Sequence, residues 1–256
     1  MKIVLIGSGN VATVLGTKIQ NAGHEILQIY ARNETTGKKL AEKLQTTWTD
    51  DPGKLNENAE LYLIAVADSA ISEIASALRL PQKLWVHTAG SVSMDVFKKN
   101  ADQYGVLYPL QSLNANTTYI PEITFIVSGS SAEALERIAV FATGLSDQVT
   151  KATDEQRQNM HIAAIFVNNF SNYLYTITEK FCRLQNIRFE ILLPLIRETT
   201  LRLEGKSPEL LQTGPAMRND AETIEKHLSV LKDQPVLKEW YRLFSEKIIE
   251  HYSGKN

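Results

Sequence analysis

The sequence predicts an α/β protein: a doubly wound, mostly parallel sheet followed by an all-helical domain. Three observations carry this. The chain begins with an apolar run, Lys2-Ile3-Val4-Leu5-Ile6, that breaks at Gly7-Ser8-Gly9 and resumes with helical spacing through Val11, Val14 and Leu15. Strand and helix patterns then alternate to about residue 150. From Asp154 onward only long helical periodicities remain. The expected domains are therefore 1–151 and 152–256.

Ile3 to Ile6 is unbroken and mostly β-branched, as in a strand covered on both faces. Gly7 and Gly9 allow a tight turn and leave the backbone bare, and Ala12 lets the next helix lie close to the strand. A helix start presents free amides and a positive dipole end, so Gly7, Ser8, Gly9, Asn10 and Val11 are a candidate seat for a dinucleotide's diphosphate. The competing reading is a turn whose glycines serve packing alone. The strand-turn-helix context favours the dinucleotide and makes this a Rossmann-type fingerprint.

The helix ends near Asn21-Ala22-Gly23, and Ile26 to Tyr30 reads as a second strand stopping at Ala31-Arg32-Asn33. An acidic residue at this tip binds the ribose 2′-hydroxyl of NAD, whereas an arginine accommodates the 2′-phosphate of NADP. No Asp or Glu occupies the tip itself; Arg32 does, with Asn33, Thr35 and Thr36 after it. NADP is the expected cofactor, with Arg32 as a planar fork on the phosphate. An ordinary solvated arginine is the competing reading.

Thr36 to Leu44 has the pattern of a surface helix and Thr46 to Thr49 that of a short strand, before the turn Asp50-Asp51-Pro52-Gly53. Leu61 to Ala67 is a further buried strand. Its end places Val66 and Ala67 against the cofactor and leaves Asp68, with Ser69, to cap a helix over about 70–78. Leu84 to His87 is a strand ending in Thr88-Ala89-Gly90-Ser91, a turn able to bring amides and hydroxyls to a nicotinamide ribose or a substrate oxygen. His87 can be a strand residue satisfied by a carbonyl. Strands follow at 105–108 and 123–127, a helix at 132–143 and a short strand at 147–150. Helices are expected at about 155–185, 188–204, 220–232 and 235–252, with Pro194 near a helix start and Asp220 as a cap.

The 256 residues carry 27 basic and 29 acidic side chains, without a basic run or aromatic-basic interleave, which argues against nucleic acid and for a small-molecule partner. No apolar run reaches roughly 18 residues, so no membrane span is expected. Cys182 is the only cysteine, and the five histidines lack paired spacing, so neither a disulfide nor a metal site is expected. A cytoplasmic protein is the resulting expectation.

Five motifs together resemble a known family: Gly7-Ser8-Gly9-Asn10-Val11-Ala12, His87-Thr88-Ala89-Gly90-Ser91, Tyr108-Pro109-Leu110-Gln111, His161-Ile162-Ala163-Ala164 leading to Asn168-Asn169, and Thr213-Gly214-Pro215-Ala216-Met217-Arg218-Asn219-Asp220. The chain is similar over nearly its full length to NADP-dependent oxidoreductases with a carboxy-terminal helical domain of unknown function. These are related to pyrroline-5-carboxylate reductase, the deazaflavin-dependent NADP oxidoreductases and the 3-hydroxyisobutyrate/6-phosphogluconate dehydrogenase superfamily. The resemblance implies a helical domain like the carboxy-terminal one of 6-phosphogluconate dehydrogenase, closing over the nicotinamide end and forming a homodimer.

In the hydroxyacid-dehydrogenase relatives a lysine three residues before the Asn-Asn pair is the general acid/base; here that position is Ile165. Regular helical spacing puts His161, Ile165, Asn168 and Asn172 on one stripe, one turn separating His161 from the missing lysine. His161 is thus the candidate acid/base, Asn168 the group that orients or polarises substrate, and Thr88 or Ser91 a hydrogen-bond donor to the same atom. Asn169 and Arg218 are candidate substrate ligands, Arg218 for a carboxylate. Structural readings compete: His161 within a domain interface, the asparagines as interhelical glue, Arg218 as a surface or capping cation. The expected activity is hydride transfer to or from a small C=O or C=N substrate; the alternative is an NADP-binding sensor without turnover.

Overall fold

The computed structural model describes residues 1–78, 80–117 and 119–253. Its contacts divide the chain into two compact units, Met1–Asn168 and Asn169–Asn256.

The first unit is an eight-stranded sheet: β1 (Lys2–Ile6), β2 (Glu25–Tyr30), β3 (Thr47–Thr49), β4 (Leu61–Ile64), β5 (Leu84–His87), β6 (Gln103–Leu110), β7 (Thr124–Gly129) and β8 (Val149–Lys151). The spatial order is β3-β2-β1-β4-β5-β6-β7-β8. Every neighbouring pair is parallel except β6 and β7, which pair antiparallel with Val106 opposite Ser128 and Tyr108 opposite Ile126. Reversal of strand order beside β1 opens the crevice at the carboxyl ends of β1 and β4 where dinucleotides bind in such sheets.

Alternation in β1 explains why both sheet faces are covered. Ile3 and Leu5 join one core with helices α1 (Asn10–Asn21), α2 (Glu34–Lys43) and α4 (Ala132–Thr143), through Leu15, Ile19, Leu40 and Phe141. Val4 and Ile6 face the other core, with Tyr62, Trp85 and Phe97 and, from α3 (Asp68–Ala77), Ile71 and Ile74. Ile3 to Ile6 are wholly buried, and each such side chain contributes about 1.5–3 kcal/mol from burial. A third cluster, Val106, Tyr108 and Ile126, receives Met160 of α5 (Asp154–Ala164).

Helix α5 begins with a reciprocal cap, the Thr153 side chain on the Gln156 amide and the Gln156 side chain on the Thr153 amide. After Ala164 the backbone runs through a wider π-helical turn, Ile165–Phe170, before α6 (Ser171–Leu184). The expected stripe through Asn168 and Asn172 assumed regular 3.6-residue turns; the extra residue per turn breaks that spacing.

In the second unit, α6 is followed by α7 (Leu193–Leu201), with Pro194 in its first turn, then α8 (Ala221–Val230) and α9 (Pro235–Tyr252). Asp220 caps α8, accepting from the Thr223 amide at 3.1 Å and its hydroxyl at 2.8 Å. Its core is small: Ala216, Ile224 and Leu228 against Tyr241, Ile248 and Ile249.

Candidate functional site

Gly7 closes β1 with φ of +122°, and a Cβ there would lie 2.2 Å from the Ala65 carbonyl oxygen. Its amide donates to the Tyr30 carbonyl at 2.8 Å, so the turn is pinned between β2 and β4. Gly9 differs. Its φ of −83° is open to any residue, and a Cβ would meet nothing within 4 Å. The fold does not require glycine at 9, but the backbone there faces a cleft.

That cleft, of about 430 Å³, is walled by residues 7–11 on one side, Ala31, Arg32 and Asn33 at the tip of β2, and Ala65, Val66 and Ala67 at the end of β4. The first turn of α1 has no side-chain cap and no acidic residue, leaving its amides directed at the opening. The Ser8 hydroxyl meets Thr36 Oγ1 at 2.7 Å. Asn33 Oδ1 caps α2 by accepting from the Thr36 amide at 3.0 Å, and Asn10 Oδ1 accepts from the Ala115 amide at 3.1 Å. Arg32 Nη1 donates to Glu73 Oε2 of α3 at 2.9 Å. Bare backbone, free amides and a guanidinium at the β2 tip are the donor set a phosphorylated dinucleotide requires, and these residues fit it.

A second group gathers at the carboxyl edges of β4, β5 and β6. The expected capping role of Asp68 is not what forms: Ala67 is the N-cap and makes no side-chain bond, while Asp68 accepts a short hydrogen bond from the Ser91 hydroxyl. Thr88 is buried, its hydroxyl directed at the Ile64 carbonyl at 3.4 Å. Gly90 is enclosed, since a Cβ would stand 2.8 Å from both His161 Nδ1 and the Tyr108 ring. His161 is therefore packed on the 88–91 turn, and its Nδ1 lies 2.9 Å from the Tyr108 hydroxyl. Burial, then the charge of Asp68, raises the Tyr108 pKa, so the residue is a neutral phenol.

Arg157, one turn before His161 on α5, locks this contact. It is 1% exposed and donates to the carbonyls of Gly90 at 3.3 Å and Val92, to the Ser128 hydroxyl at 3.2 Å and to Asp154 at 2.5 Å. Burial raises the Asp154 pKa, but bonds from Ser93 and Arg157 outweigh it and hold the carboxyl below its usual range. Beneath the turn, His87 is fully buried, with Nδ1 accepting from the Ala89 amide at 3.2 Å. Its Nε2 is buried without a hydrogen-bond partner among the described residues. Burial, then the nearby Arg157 charge, lowers its pKa to about 4.

Asn168 lies exposed in the π turn at the end of the first unit. Asn169 opens the second unit, and Arg218 sits exposed in the turn before α8, its charge acting on Asp220. Asp68, Tyr108, Arg157 and Glu73 were not singled out as site residues from sequence. Tyr108 stood inside a quoted motif, yet nothing in spacing ties it to His161, 53 residues on. Among the described residues no His, Cys, Asp or Glu cluster is arranged for a metal, and no helix is long and apolar enough to cross a membrane.

Residues 2–90 match the family described as NADP oxidoreductase coenzyme F420-dependent, and residues 123–248 match a domain of unknown function, DUF2520. No curated protein matches. A Bacteroides fragilis protein named "putative NADP oxidoreductase" is 37% identical, with 97% of this chain and 98% of that one aligned at a TM-score of 0.89. The pyrroline-5-carboxylate reductase of Streptococcus pyogenes shares the fold at 15% identity and a TM-score of 0.68, over 98% of each chain. An imine reductase from Myxococcus stipitatus, solved with NADP+, also shares it at 15% identity and a TM-score of 0.60, over 99% of this chain and 92% of that one. With the glycine turn, the eight-stranded order and a full-length relative in agreement, this chain belongs to the family of NADP oxidoreductases that join a Rossmann-type domain to a helical domain of unknown function.

Proposed function

We propose that this protein is an NADP-dependent oxidoreductase acting on a small C=O or C=N substrate, with His161 moving the proton. The observation that carries the reading is the pairing of His161 with Tyr108 against Gly90, on the strand edges that also supply Ala67 and Asp68. When bound, the nicotinamide supplies or accepts the hydride. The chain's own residues handle the proton and the orientation. The Tyr108 hydroxyl is bonded to His161 Nδ1, donating to it or accepting from it as the ring's protonation changes, and leaves Nε2 as the nitrogen that exchanges a proton with substrate. Doubly protonated His161 gives its Nε2 proton to the substrate heteroatom as hydride arrives, its Nδ1–H then donating to the Tyr108 oxygen, and Nε2 takes the proton back in the reverse direction. Ser91, held by Asp68, is the adjacent hydroxyl, and Asn168 is assigned the polarising role. A homodimer formed through the helical unit belongs to the same proposal.

The test is turnover of NADPH against a panel of keto acids, aldehydes and imines. His161→Ala should lower kcat by about 10²-fold or more while NADPH affinity stays within about twofold. Tyr108→Phe should change the pH profile of kcat with a smaller loss. Undiminished activity in His161→Ala would remove the assigned role. Ile165, where related dehydrogenases carry lysine, favours a second reading: tight NADPH binding without oxidation across the panel would make the protein a sensor.

A further inference from the structure

The tip of β2 carries no acidic residue in sequence, yet the fold delivers one from another element. Glu73 of α3, 41 residues beyond Arg32, reaches it with a 2.9 Å bond from Nη1 to Oε2. Arg32 lines the part of the cleft wall where an adenine ribose lies in this fold class, and Glu73 comes from α3 between the lining residues Ala70 and Ile74. We infer that Glu73 sets the cofactor preference of this cleft, as a counter-ion that a 2′-phosphate has to displace from Arg32.

This inference rests on the NADP reading and adds a residue that opposes it. Both side chains are largely exposed, at 61% and 66%, and such pairs exchange partners readily. Arg32 can turn its fork to a phosphate, where two parallel bonds replace the single one to Glu73. The displaced carboxylate then remains beside a dianion and repels it. Asp50 and Asp51 also act with Arg32 and Glu73 on the buried Tyr30 phenol, Asp51 while paired with Lys54 at 3.6 Å. Lys38 does not redress the balance, because it is engaged with Glu34 at 2.6 Å. For a cofactor without the phosphate the same carboxylate is an acceptor for the ribose 2′-hydroxyl. Arg32 and Glu73 therefore form a two-sided selector, one half for each cofactor, and the chain discriminates less sharply than an isolated arginine would.

The experiment is equilibrium titration of the full chain with NADPH, NADH, 2′-AMP and 5′-AMP, for wild type, Glu73→Gln and Arg32→Ala. Removing one screened carboxylate from beside a phosphate should tighten NADPH and 2′-AMP about fivefold in Glu73→Gln. NADH and 5′-AMP, whose 2′-hydroxyl loses a charged acceptor but keeps the amide oxygen of Gln, should weaken by no more than about twofold, and raised salt should shrink the gap. Arg32→Ala should abolish the preference for the phosphorylated ligands. An unchanged NADPH-to-NADH ratio in Glu73→Gln, or weaker NADPH binding, overturns the inference while leaving the cofactor reading intact. A wild-type protein that binds neither dinucleotide overturns the reading itself.

Discussion

Gly7 and Gly9 stand one serine apart and answer to different constraints. Gly7→Ala forces a side chain into positive φ and against the Ala65 carbonyl, and should destabilise by more than about 1 kcal/mol, visible as a lower urea midpoint. Gly9→Ala meets no protein atom, so the midpoint should hold while NADPH affinity falls about tenfold or more. His87 gives a pH prediction of definite sign. Folded, it titrates at about 4; unfolded, at 6.5. Between those values the unfolded chain binds a proton that the folded chain refuses, so stability falls as pH drops from about 6.5 to about 4, by about 3 kcal/mol in all. Urea midpoints across that window should slope for wild type and flatten in His87→Asn.

Element limits were legible where a pattern is local. Helices over 132–143 and 235–252 fall where periodicity and flanking breakers place them. Direction was not: apolar alternation is the same read either way, so nothing in residues 124–129 announces that β7 runs against β6. The π turn was equally hidden, because Ile165–Phe170 carries no breaker and reads as the continuation of a regular helix. For α5 the decisive residue is Arg157, which on sequence resembles any solvated helix cation. Arg157→Met should cost about 3–5 kcal/mol, since it leaves the Gly90 and Val92 carbonyls and Asp154 without their partner. Thermal melting would register the loss. Arg157→Lys, which retains charge without the fork, should recover part of the stability and less of the kcat that depends on His161 placement.

Across the molecule, the candidate cofactor cleft brings together residues that the sequence already groups, since most of its lining lies in three short runs, 7–11, 30–33 and 65–67, each at a strand end. The cluster around His161, proposed to handle the proton, was only partly readable, since contacts such as Arg157 to Val92 span 65 residues and leave no periodic trace. The helical unit leaves large apolar side chains exposed, among them Leu184, Ile191, Leu195 and Leu210. Such a surface is expected to be covered by self-association. Sedimentation at micromolar concentration should give twice the chain mass, and a strict monomer would refute the proposed dimer. The Arg157 anchor also bears on how the chain can be divided. Its composition changes near residue 151, but Asp154, Arg157 and His161 all lie beyond that point and hold the 88–94 segment in place. A fragment ending at 151 would retain every strand and still have a frayed edge beside β5, more open to protease than one ending at 168. The borders of the working piece are therefore those of its contacts.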